Sequence, residues 1–178
     1  MKTKLQIFYI LIKLYNFLFK ILFLKTLRRQ LMFLVGYKVG KNTSVQAVRF
    51  FSFGHLEIGN NTIINSGCYI DNRRGIQIGH NVVIAHDTKI YTLGHDVEDS
   101  TFITKGSPVH IEDYVVIFSN VLIMPGVLIQ KGAVILPGTV VTKNVGPMEI
   151  VGGNPARIIK MRKALHLNKI VTDYWFSI

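Results

Sequence analysis

Cysteine is almost missing from this chain, with Cys68 the single one in 178 residues. One thiol excludes an intramolecular disulfide framework and a thiolate zinc cluster of the usual kind, and it suits a reducing, cytosolic setting. Acids are also scarce, 10 against 21 Lys and Arg. Charged residues reach only 17% while hydrophobic ones reach 49%, which excludes intrinsic disorder. No uncharged apolar run of about 18 residues, as a membrane-spanning helix needs, occurs even in the Leu-, Ile- and Phe-rich first 36 residues. The length fits one domain with a short appendage.

The shortage of acids is uneven. Residues 1–56 hold ten basic residues and no acid, residues 57–156 carry a net −3, and the last 22 residues a net +4, within a total of +11. A continuous basic stripe would invite nucleic acid. A basic apolar head, a slightly acidic body and a basic tail do not, and no nucleic-acid partner is expected.

In residues 5–24, fourteen Leu, Ile and Phe favour insertion by about 6 kcal/mol at roughly 0.3–0.6 each, and two Lys oppose it by roughly 2.5–3.5 each. Spanning is therefore marginal. Lys2, Gln6, Tyr9, Lys13, Asn16 and Lys20 step by 4, 3, 4, 3, 4, which places them on one helix face. The spacing predicts an amphipathic helical segment over 1–36 with its apolar residues turned away from that seam. Such a helix suits the headgroup layer of an anionic membrane, and packing on the domain or on a sister subunit is the alternative. Lys13 breaks the apolar region that a secretory signal needs, and no A-x-A-like site follows. A cytoplasmic protein, peripheral on the inner face of the membrane, is expected.

From Ile111 the chain reads IEDYVV, IFSNVL, IMPGVL, IQKGAV, ILPGTV, VTKNVG without a gap. Position one is always Ile or Val, and position five is always small or β-branched. The beat also runs through IGNNTI, INSGCY and IDNRRG from Ile58, and IGHNVV and IAHDTK from Ile78, with VGKNTS and VQAVRF upstream; Arg49 and Arg74 break position five. A strict period of six matches neither a helix nor a sandwich strand. Position one feeds an aliphatic side chain inward, position five is small because the interior is narrow, and Asn, Asp and Gly between them turn corners. Three hexads make one coil, coils stack ~4.8 Å apart, and about five coils fit between Val39 and Gly146.

This pattern resembles the left-handed parallel β-helix of the hexapeptide-repeat acyltransferases, over roughly residues 37–163. The expected fold is thus all-β, with an N-terminal amphipathic helical segment, a β-helix over 37–156 carrying a loop over 91–107, and a basic C-terminal segment, 157–178, with a short helix. Left-handedness comes from the resemblance, since parallel crossovers are otherwise right-handed.

The excursion from Tyr91 to Ser107 leaves the repeat and carries His95 beside Asp96, Glu98 and Asp99. A histidine can take a proton from an acceptor hydroxyl or amine, with a neighbouring carboxylate to orient it. GHDVED, the clean hexads, VVTKN and GGNPARIIKMR together resemble the maltose/galactoside and capsular-polysaccharide (colanic-acid-type) O-acetyltransferases. That resemblance implies His95 as catalytic base and Ser119 as support for the developing oxyanion. It implies acetyl-CoA as co-substrate, met by Ser119, Gly138, Thr142, Lys143, Arg157 and Lys160, with basic residues suited to its phosphates. It implies a sugar or glycan acceptor held by Asn65 and by Asp71 or Asn72, and a homotrimer with sites between prisms. Many relatives have a large aromatic where this chain has Val116, which puts the packing on the pantetheine arm in question.

No metal is expected: His80 and His86 occupy the same slot of consecutive hexads and so fall at different corners. Cys68 takes an inward small position and reads as core. The leading expectation is O-acetylation of a surface-polysaccharide sugar or its lipid-linked precursor. A small diffusible acceptor, such as a nucleotide-linked amino sugar or a xenobiotic, and a catalytically silent scaffold are the alternatives.

Overall fold

A computed structural model describes residues 2–165. From Lys38 the six-residue beat becomes short strands, and the strands of successive turns lie above one another in three parallel sheets. Face one stacks Lys38–Val39, Leu56–Ile58, Ile76–Ile78, Val109–Ile111 and Leu128–Ile129. Face two stacks Ser44–Val45, Ile63–Ile64, Val83–Ile84, Val116–Ile117, Val134–Ile135 and Glu149–Gly152. Face three stacks Arg49–Phe50, Tyr69–Ile70, Lys89–Ile90, Leu122–Ile123 and Val140–Val141. Five complete coils and part of a sixth result, the last tied in where Val145 bridges Ile129.

The expected inward positions form the core: Ile58, Ile64, Ile70, Ile84, Ile117 and Ile135 are buried, as are Thr62, Cys68, Thr88 and Thr139 in the small slots. Buried hydroxyls need partners, and Thr62 and Thr88 donate to the carbonyls of Gly79 and Phe118 in the next coil. The Cys68 thiol donates to the Ala85 carbonyl, and burial pushes it up to about 11, so it is inert core. Arg49 breaks the pattern because its corner is one residue short: Val48 fills the small inward slot, Phe50 is the next core residue, and Arg49 points out.

The first corner, between faces one and two, depends on close approach. A Cβ on Gly59 would stand 2.5 Å from the Gly79 carbonyl oxygen and 2.8 Å from the His80 nitrogen, and one on Gly79 would stand 2.8 Å from the Asp113 nitrogen. These neighbours are backbone and cannot swing aside. Gly59→Ala is therefore expected to cost about 3 kcal/mol, the upper end of ordinary overpacking, and to lower Tm by roughly 6–12 °C in a thermal melt followed by circular dichroism. An unchanged melt would mean that the coils separate at no cost.

The N-terminal segment forms two helices, α1 (Lys2–Ile21) and α2 (Lys25–Leu34). α1 lies across the first coil with Ile12, Tyr15 and Phe19 buried against Tyr37 and Phe50. Asn16 substitutes for a strand below face three: its Nδ2 donates to the Phe50 carbonyl and its Oδ1 accepts from the Phe50 N–H, both at 2.8 Å. The lowest strand is thereby closed. Arg28 is buried at the end of α1, where its Nε donates to the Phe19 carbonyl. The single apolar side expected for this segment is in fact two. One packs on the prism; the other, with Ile10, Leu14, Phe17 and Ile21, is exposed, and the Lys-bearing seam runs between them. Among the described residues, no helix is long and apolar enough to cross a membrane.

At the other end, Arg157–Met161 folds back antiparallel on Glu149–Gly152. The described start of the C-terminal segment is therefore strand where a short helix was expected. Residues 166–178, on which that expectation also falls, lie outside the described residues.

Candidate active site

The second corner, between faces two and three, is a vertical edge on which candidate residues line up. Asn65, Ala85, Phe118 and Leu136 follow one another up the stack through backbone hydrogen bonds along face two. Ser66, His86 and Ser119 form the adjacent column, with Asp87 N–H bonded to the Ser66 carbonyl, Asn120 N–H to His86, and Gly138 N–H to Ser119. Asn65, Ser119 and Gly138 thus share one edge, and Arg157 joins it at the top, next to Gly152. Gly138 has φ +69° and nothing within 4 Å of where a Cβ would be, so the backbone there is bare.

Beside this edge a cavity of about 440 Å³ is lined by Val116, Phe118, Val134, Ile150, Lys160 and Lys163 among others. It combines an apolar floor with two ammonium groups. The aromatic missing at position 116 is supplied two residues on, by Phe118, which is 42% exposed next to Ser119. Phe118 stands at a corner position that is usually polar, so the repeat itself does not mark it.

The third corner, between faces three and one, carries the other candidates. There the chain leaves Ile90 and forms a hairpin of Leu93–His95 with Thr104–Gly106, antiparallel, before Val109 rejoins face one opposite Ile76. His95 is exposed at the hairpin end, and its Nδ1 lies 2.8 Å from the Phe102 carbonyl oxygen. A carbonyl only accepts, so Nδ1 carries the hydrogen and Nε2 of the neutral ring is left with a free lone pair. The Phe102 ring also stacks on the imidazole, 4.3 Å between centroids and 3° between planes. Phe102 has φ +52°, an unusual conformation for a bulky residue, and so turns both its carbonyl and its ring to His95.

The carboxylates expected to orient His95 do other work. Asp96 accepts from Lys105 at 2.7 Å, which holds its carboxyl below the usual range, and Asp99 accepts from Thr101. A backbone carbonyl orients the ring instead, and the sequence carries no mark of it.

Thr142 and Lys143 are exposed higher on this third corner. Lower down, Asp71 is fully enclosed, with Arg73 donating to it through Nε at 2.8 Å and Nη2 at 2.7 Å. A solute at this corner meets the Arg73 guanidinium, stacked over Phe51, in place of the Asp71 carboxylate. Asn72 is likewise buried, bracing the corner through the backbone of Ser52 and Gly54. Within one chain the site residues therefore fall on two edges, Asn65, Ser119, Gly138 and Arg157 on one and His95, Thr142 and Lys143 on the other, with face three between them.

His80 and His86 stand at the first and second corners, and no cluster of three potential metal ligands occurs among the described residues. A groove of about 800 Å³ along face one has polar side chains paired, Lys38 with Glu57 and His110 with Gln77, and holds none of the candidates.

No family model matches the chain. Galactoside O-acetyltransferase of Escherichia coli (strain K12) is 34% identical to it over 128 residues, which are 68% of this chain; the chain spans 62% of that curated relative's length. A hexapeptide-repeat-containing acetyltransferase from Vibrio cholerae superposes with a TM-score of 0.83 at 28% identity, over 90% of this chain and 94% of that one. The same Vibrio cholerae protein complexed with acetyl coenzyme A gives 0.79 at 27% identity, over 86% of each chain. These likenesses extend over most of the prism, and they identify it as a left-handed β-helix. With the repeat, the coil and the aligned relatives in agreement, the chain belongs to the hexapeptide-repeat acetyltransferase family.

Proposed function

We propose that this protein is an acetyl-CoA-dependent O-acetyltransferase that modifies a sugar hydroxyl of a surface polysaccharide or its lipid-linked precursor. The observation that carries the reading is the His95 ring, held by Phe102 so that Nε2 keeps its lone pair, with no carboxylate paired to it among the described residues. In this reading Nε2 takes the proton from the acceptor hydroxyl, and the Ser119 hydroxyl donates to the oxygen on which negative charge develops. Acetyl-CoA would supply the activated acyl group as a thioester: the acceptor oxygen bonds to the acetyl carbon, the carbon–sulfur bond breaks, and CoA leaves as the thiol with the proton that Nε2 took. The bare backbone at Gly138 and the apolar floor of Val116, Phe118 and Val134 fit its pantetheine arm, and Lys143, Arg157 and Lys160, with Thr142, fit its phosphates.

This reading calls for a homotrimer, because His95 and Ser119 occupy different edges of one prism and meet only if a neighbouring copy supplies one of them. Asn65, half-buried on the Ser119 edge, is the acceptor contact, and its amide has no hydrogen-bond partner among the described residues. Incubating the protein with acetyl-CoA and isolated surface glycan, and following CoA release and glycan mass, tests the activity. Lys143→Ala is expected to raise KM for acetyl-CoA about tenfold, the size of one charged hydrogen bond, with a smaller change in kcat. A change confined to acceptor KM would move Lys143 to the sugar side.

Attachment to an anionic membrane rests on the outer face of α1, where exposed Ile10, Leu14 and Phe17 stand beside Lys13 and Lys20. Full-length protein is expected to pellet with anionic vesicles, and salt should weaken this only partly, because apolar burial is not screened. Leu14→Ser should lower the pelleted fraction's partition constant by roughly tenfold or more while the protein stays folded. Protein that stays in solution with vesicles present removes the membrane from the account.

A further inference from the structure

We propose, resting on the acetyltransferase reading, that the acceptor is a phosphorylated sugar whose phosphate or diphosphate is held by Lys20 and Arg49 where α1 meets the second corner. A cavity of about 460 Å³ opens there, lined among others by Asn16, Phe17 and Lys20 of α1, Arg49 of the first coil, and Ser66 and Gly67 of the second. Ser66 directly follows Asn65, so the cavity is the lower end of the edge that carries Asn65, Ser119 and Gly138.

Two basic residues, Lys20 and Arg49, line this space. Lys20 has no partner among the described residues, and the Arg49 guanidinium rests 5.2 Å over the Tyr69 ring without an ion pair. Asn16 is already used on the Phe50 backbone and leaves the polar work to these two. Of the acids on the coils above, Asp87 has its Oδ1 over Gly67, and Asp71 is paired with Arg73. A neutral sugar needs no pair of free cations, whereas a phosphate matches a guanidinium and an ammonium placed together. Phe17 lines the same cavity and is 61% exposed on the outer face of α1. An anion held by Lys20 thus sits at the height of lipid headgroups whenever that face is in a bilayer. A lipid-linked sugar diphosphate and a soluble sugar phosphate present the same chemistry to the two residues.

The test is calorimetric titration of inorganic pyrophosphate into full-length protein at low salt, with excess coenzyme A present to occupy the cofactor's own phosphate contacts. Lys20→Gln and Arg49→Gln are each expected to weaken binding roughly tenfold, as loss of one charged hydrogen bond does. Lys13→Gln, which removes the same charge from the same helix outside the cavity, should bind like wild type. Equal weakening by all three variants, or none by the first two, overturns the proposal. Protein that binds pyrophosphate through Lys20 and Arg49 yet neither binds acetyl-CoA nor releases CoA from it keeps the anion site and loses the acetyltransferase reading. Normal acetyl-CoA turnover with pyrophosphate binding indifferent to both variants overturns the anion site alone. For the source, pelleting with vesicles that contain a polyprenyl phosphate should be reduced by pyrophosphate if the acceptor is lipid-linked; pelleting that ignores pyrophosphate assigns the site to a soluble sugar phosphate.

Discussion

Replacing His95 with alanine is expected to lower acetyl transfer by ~100-fold or more, the contribution of a general base, while coenzyme A binding is retained. The expectation follows from geometry. Phe102 fixes the ring from two directions, through its carbonyl on Nδ1 and its stacked ring, so the free Nε2 has one defined direction. Alanine removes the proton acceptor without disturbing the prism, because His95 is at an exposed hairpin end. Ser119→Ala should be similarly severe, at ~100 to 1000-fold for loss of an oxyanion donor. Mixing the two inactive variants under conditions that exchange subunits should restore part of the activity, since some interfaces then join an intact His95 to an intact Ser119. No recovery on mixing would confine the site to one chain, and full activity of His95→Ala would remove the base.

The second large effect concerns the N-terminal helices. A chain that begins at Tyr37 is expected to aggregate or to melt far below the full-length protein. Ile12, Phe19 and Met32 alone bury side chains worth roughly 1.5–3 kcal/mol each, and their sum rivals the usual net stability of a domain, about 5–15 kcal/mol. Deletion also uncovers Tyr37 and Phe50 and leaves the N–H and carbonyl of Phe50 without Asn16. Removing the segment therefore cannot serve as a clean test of membrane binding, which is why a substitution on its outer face is the better probe. A soluble 37–178 chain with a cooperative, unshifted melt would show that the first coil closes itself.

The prism was legible because a β-helix writes its structure locally: every coil repeats the same inward Ile and the same small corner residue, so period alone locates strands and core. Where the period slipped, legibility ended. Arg49 looked like a misplaced inward residue because nothing in VQAVRF announces a corner one residue short. The placing of α1 was hidden for a different reason. The helix has two apolar sides, and helical spacing cannot say which one meets the prism, while Asn16, one residue of the polar seam, completes a strand edge. His95 could be picked out as an ionisable group in a loop the repeat does not need. Its orientation could not, because the partner is the main chain of Phe102, seven residues on, and main-chain acceptors leave no trace in residue identity.

The prism is closed by unlike devices, a helix presenting an asparagine amide below and a reversed strand above, and between them each coil touches only its neighbours. Length can therefore change in whole units without disturbing either closure. Duplicating one coil, ~18 residues, lifts everything above it by ~4.8 Å while every residue keeps its edge. Placed between the second and third coils, such a duplication would leave Asn65 and Ser119 facing the same way but set them one step further apart. Coil number then acts as a ruler, and lineages or engineers that add and remove turns at that level would be selecting how large an acceptor fits between its anchor and the reacting hydroxyl.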